Sequence, residues 1–150
     1  MSLMLWRRLI AELKRRGGGA RESGAFLLGD AGGCEIKHFI AYDDLDPTAL
    51  DAGIVSFQGI GFVPLWNYCR LRQMQVLADV HTHGGKWTGQ SATDQRNPMV
   101  ETPGHIALIV PHFARGNRRS LKGVGVYEYL GDHKWRTWSE ESGRFQLSVV

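Results

Sequence analysis

The chain has 150 residues, the usual size of a single domain. Its 43% hydrophobic and 22% charged content is ordinary for a globular protein, and no apolar run approaches the roughly 20 residues that span a bilayer. The net charge of +3 is uneven: residues 1–21 carry six Lys/Arg against one acid, which leaves the body of the chain slightly acidic. A nucleic-acid partner, which needs a basic stripe, is therefore not expected.

The first element is an amphipathic helix over residues 1–16. Trp6, Leu9, Ile10 and Leu13 fall at i, i+3, i+4 and i+7, and the arginines take the other face. Gly17-Gly18-Gly19 ends it. The arginines lie within and after the apolar residues, unlike the charged start of a signal peptide, so a cytoplasmic protein is expected. Residues 22–29 read as a strand around Ala25 to Leu28. A turn at 30–33 leads to a second strand from Cys34 to Tyr42, closing a hairpin.

Residues 43–61, rich in Asp, Gly and Pro, read as irregular with a short strand near Ile54 to Phe57. Residues 64–75 form a helix begun by Pro64, and Val76 to Val80 a strand running into His81. Gly84 to Gln90 is a loop, and Ile106 to Val110 a further strand. Leu121 to Leu130 and Lys134 to Ser139 alternate as two strands across Gly131-Asp132. Interleaved helices and strands without an interdomain linker imply one α/β (α+β) domain spanning residues 1–150. Cys34 and Cys69 are too few for a disulfide framework and read as two buried free thiols.

The chemistry concentrates in Asp79-Val80-His81-Thr82-His83 and Ser91-Ala92-Thr93-Asp94. On a strand, residues i and i+2 share a face, so His81 and His83 reach one metal from a strand end. Alone, such a pair is weak evidence. Ser91 with Asp94 three residues later is a helix-start signature that aims the carboxylate in a fixed direction. A seven-residue loop lets the chain return Asp94 to the histidines. Two His and one Asp with an open fourth position is the pattern of catalytic zinc, whereas structural zinc is closed by protein, often Cys. A hydrolase also needs a proton carrier. Glu22, entering the first strand, and Glu101, in an irregular Glu-Thr-Pro-Gly stretch, are the candidates, with Glu22 slightly favoured.

His81-x-His83, seven residues, Ser91, two residues and Asp94, with Glu22 at the start of an apolar strand ending in Gly29, resembles the motif of the JAMM (MPN-plus, JAB-domain) zinc metalloproteases. The size, Pro111 to Ala114 and the Gly125 to Glu128 strand look like small bacterial members. The resemblance covers roughly residues 20–130. It implies a cytidine-deaminase-like fold, a curved mixed sheet flanked by helices. It also implies a deubiquitinase-like isopeptidase or peptidase acting on the C-terminal tail of a ubiquitin-like or sulfur-carrier protein, with an activating-enzyme-like protein as a further partner. Under it, His81, His83 and Asp94 bind one catalytic Zn2+. Glu22 is general base toward the zinc-bound water and then general acid, and Ser91 donates to the developing oxyanion. Gly84 departs from the family's usual Pro, which predicts a more mobile loop.

Other readings fit the same residues. A non-catalytic MPN-type scaffold needs no ligand set. A RadC-like, nucleic-acid-linked domain shares the His-x-His and Ser-x-x-Asp spacing. A zinc deaminase is excluded, because its Pro-Cys-x-x-Cys is missing. Trp87, inside the loop between the ligands, either lines a peptide groove or covers a small core. His38, His105, His112 and His133 read as surface or packing residues, and Tyr127, Tyr129, Trp135 and Trp138 as core or hairpin packing.

Overall fold

The computed structural model describes residues 1–116, 119–138 and 148–150. Helix α1 runs Leu3–Gly17 and buries Leu5, Trp6, Leu9, Ile10 and Leu13 along one face, as their spacing predicts. The Ser2 side chain caps its start by accepting from the Leu5 amide, and left-handed Gly18 ends it. Its basic face is partly paired. Arg15 and Arg16 hold Glu12, and Arg16 also reaches Asp43 and Asp44.

Strands β1 (Gly24–Asp30), β2 (His38–Ala41), β3 (Met74–Thr82), β4 (Ile106–Val110), β5 (Gly125–Gly131) and β6 (Lys134–Trp138) form one sheet in the order β2-β1-β3-β4-β5-β6. Helices α2 (Tyr42–Leu45), α3 (Phe62–Arg72) and α4 (Ala92–Arg96) complete the chain, with short 3₁₀ turns at Gly59–Gly61 and His112–Ala114. All strand pairs are antiparallel except β3 with β4, so the sheet is mixed and the class is α+β.

The second strand is shorter than expected. Residues 34–37 lie outside the ladder and Cys34 is exposed, which corrects the reading of two buried thiols; Cys69 is buried. No strand forms at 54–57. That segment is held instead by the Val55 amide on the Glu22 carboxylate and the Ser56 amide on the Ala49 carbonyl, with Asp46 accepting from the Thr48 and Gln58 amides on either side of it. Side-chain acceptance of backbone N–H groups replaces a ladder here. Ser139, the expected end of the last strand, lies outside the described residues. Among the described residues no helix is long and apolar enough to cross a membrane.

The two faces of the sheet differ. On one, Ala25, Leu27, Ala78, Val80, Leu108 and Val126 merge with α1 into a continuous core. On the other, Phe26 and Leu28 pack with Tyr42, Leu50 and Leu65, while Ala107, Ile109 and Tyr127 form a separate small cluster. Between those two clusters lies β3, which presents Asp79 and His81. An irregularity in the β1–β3 register sets this parity: Leu27 pairs with Ala78 but Leu28 with Val76, so Leu77 has no partner. Leu77 and Ala78 therefore both turn toward α1, and Asp79 and His81 face the other way.

Candidate metal centre

His81 is on β3, and His83 continues its line beyond Thr82, its amide donating to the Val110 carbonyl at 2.9 Å. Both imidazoles are buried, and their Nε2 atoms stand 3.1 Å apart. Asp94 closes the group. Its Oδ1 lies 3.5 Å from His81 Nε2 and its Oδ2 3.5 Å from His83 Nε2. The three atoms able to ligate a metal lie within 4.8 Å of one another. Donors bound to a tetrahedral zinc at about 2.0–2.1 Å stand about 3.4 Å apart, so the spacing suits the ion.

The surroundings suit it as well. His83 Nδ1 lies 3.3 Å from the Trp87 carbonyl, which only accepts, so Nδ1 carries the proton and Nε2 keeps its lone pair for a metal. Hydrogen bonding to Asp94 raises the His83 pKa against the opposing effect of burial, and the charge of Glu22 adds to the rise. Burial pushes the Asp94 carboxyl up, but the His81 and His83 imidazoles together hold it well below the usual range. The field at this point favours positive charge, as a cation site requires.

Asp94 is aimed by the capping box that its spacing from Ser91 predicts. The Asp94 amide donates to Ser91 Oγ at 3.1 Å, and the Ser91 amide donates to Asp94 Oδ2 at 2.6 Å. A hydroxyl that accepts one bond still has its own proton to give, so Ser91 remains a donor. Glu22 stands just before β1. Ser23 and Thr82 exchange bonds across the strand pair, so the next residue, Glu22, falls opposite His83. Its carboxylate accepts from the Val55 amide at 3.2 Å. The 43–61 segment thus helps to hold this acid. Glu101 is exposed and is not part of the converging group.

A cavity of about 330 Å³ opens beside this group, with Asp79, His81 and Asp94 on its polar side and Phe57, Phe62 and Met99 on its apolar side. Trp87 covers no core. It is 59% exposed and stacks on His83 with ring centroids 5.6 Å apart. Gly84 is flanked by order: the His83 carbonyl accepts from the Phe113 amide, and the Gly85 carbonyl from the His112 amide. A Cβ at Gly84 would sit 2.7 Å from the Phe113 ring, so that ring occupies the space a side chain here would need.

No family model matches this chain. It is similar in fold to the solution structure of protein DSY2949 from Desulfitobacterium hafniense. The TM-score is 0.58 at 15% identity, over 88% of this chain and 86% of that one.

Sequence reasoning missed one buried network. Asp79 Oδ1 lies 2.7 Å from His105 Nε2, and Asp79 Oδ2 accepts from the Tyr42 hydroxyl at 3.1 Å. Of the two readings offered for His105, surface or packing, the second holds: it is buried and paired with Asp79, which lines the cavity. The Tyr42 ring reaches Asp79 over Gly24, where a Cβ would clash with it at 2.2 Å. The available signal was the alternation Asp79-x-His81-x-His83, which sets all three on one face.

Proposed function

We propose that this chain is a zinc-dependent isopeptidase or peptidase of the JAMM type on a cytidine-deaminase-like fold. It hydrolyses the (iso)peptide bond at the C-terminal tail of a ubiquitin-like or sulfur-carrier protein. The observation that carries this reading is the convergence of His81, His83 and Asp94 within 4.8 Å, with no fourth ligating side chain in the group among the described residues. An open position is what separates catalytic from structural zinc. Bound there, zinc supplies Lewis-acid polarisation and brings the pKa of water toward about 7.

The chain's own residues do the rest. Glu22, close enough to His83 to bias its charge, takes a proton at its carboxylate and returns it to the leaving amine. The bond from the Val55 amide limits where that carboxylate points. The Ser91 hydroxyl donates to the carbonyl oxygen as negative charge develops on it. Phe57, Phe62 and Met99 offer an extended tail an apolar wall beside the scissile bond.

The test is metal content plus turnover. The protein should hold one zinc and cleave a ubiquitin-like fusion in a chelator-sensitive way. Glu22→Ala should keep the zinc and lose cleavage. A zinc-loaded protein that cleaves no such fusion or conjugate, with Glu22→Ala indistinguishable from wild type, would sink the proposal.

A further inference from the structure

Helix α4 carries a metal ligand and has no buried residue. A five-residue helix is far below the length that is stable alone, so its position must come from outside it. Two hydrogen bonds from the β5–β6 hairpin bracket Asp94, one in the loop before α4 and one in its last turn. The Tyr127 hydroxyl donates to the Thr88 carbonyl at 2.7 Å, three residues before the Ser91 cap. The Trp135 indole N–H donates to the Gln95 carbonyl at 3.1 Å, one residue past Asp94. Gly125 lets the loop come this close: a Cβ there would stand 2.2 Å from the Thr88 oxygen. Tyr127 is itself buried, on the face that holds Ala107 and Ile109.

We infer that Tyr127 and Trp135 are positioning residues for the metal centre, setting the distance of Asp94 from His81 and His83 through the Thr88 and Gln95 carbonyls. The inference rests on the metal reading above and extends it to residues 33 and 41 positions beyond Asp94. Without the two donors, the capping box still points the carboxylate relative to its own helix, but nothing polar ties that helix to the sheet at these two points. The ligand set then loses its preorganised spacing. Partners that orient metal ligands in this way are typically worth about 10–100-fold in affinity.

The experiment uses the full chain and two readouts. Zinc affinity is measured by chelator competition for wild type, Tyr127→Phe, Trp135→Phe and the pair combined. Tyr129→Phe is the control, since its hydroxyl lies on the same strand but serves the His133 amide. The second readout is the rate of tryptic cleavage after the exposed Arg96 in metal-free protein, which follows the tethering of α4 directly. Each single variant should bind zinc about tenfold more weakly and the pair about 100-fold, with faster nicking at Arg96 and no change for Tyr129→Phe. Gly125→Ala, which forces Thr88 away, should act in the same direction while keeping both donors.

Wild-type zinc affinity in Tyr127→Phe and Trp135→Phe overturns the inference, even if nicking changes. If wild type itself binds no zinc, the metal reading falls. Unchanged nicking would then overturn the tether as well, and faster nicking would leave it standing as a clamp on α4.

Discussion

Helices α1 and α4 are both placed on the sheet, but by different forces. Helix α1 buries five large apolar side chains against a continuous core, and its position follows from area removed from water. Helix α4 has no buried residue and is held by two donors from the β5–β6 hairpin and by the contacts of Asp94 with His81 and His83, while a capping box fixes its start. Burial is non-directional and strong in sum. Hydrogen bonds are weaker but fix angles, which is what aiming the Asp94 carboxylate needs.

That contrast predicts a separation between stability and metal binding. The largest effect belongs to α1. Trp6→Ala, at a fully buried position, should lower unfolding free energy by about 3–5 kcal/mol in denaturant titration. If it instead left stability unchanged and removed zinc binding, the contrast would be broken. Asp94→Ala addresses the other side. Zinc at about 100 times its dissociation constant should raise wild-type stability by about 2.7 kcal/mol, a gain that this variant should lose. Ser91→Ala removes the cap and should cost about 1 kcal/mol in metal-free protein. Its turnover should fall by about 10²–10³, separable from the fold because α4 contributes no core.

The smallest effect sharpens what the surface of α1 contributes. The hydrogen bond from Arg15, with help from Arg16, lowers the Glu12 pKa from 4.5 to about 2. A depressed carboxylate stabilises the fold above its unfolded pKa. That stabilisation should fade as pH falls from about 4.5 to 2. The pair is solvent-screened, so the change should stay under about 1 kcal/mol, shrink in salt and vanish in Glu12→Gln.

Much of this molecule was legible before any fold was known. The helix face of α1, the shared strand face of His81 and His83, and the Ser91–Asp94 cap each follow from spacings of two to seven residues. Other features were not legible. The unpaired Leu77 decides which face His81 takes, and nothing local marks it. The segment around Val55 reads as irregular with a short strand, yet no strand forms there and the Val55 amide holds the Glu22 carboxylate. Tyr127 and Trp135 fit hairpin packing, and only their partners Thr88 and Gln95 reveal a second task. Glu22 and Glu101 were nearly equal on chemistry, and the strand pairing that sets Glu22 opposite His83 separates them.

The sequence by itself determined the residue types of the proposed metal site, their local directions and the helix start that aims Asp94, because those depend on bonds within one or two turns of chain. Only the tertiary structure decided that Asp94 meets the histidines, that Glu22 stands beside them and that Asp79 pairs with His105. Each joins residues brought together by the order β1-β3-β4-β5, and strand order is chosen by the burial of whole faces, a property that no short stretch of sequence carries.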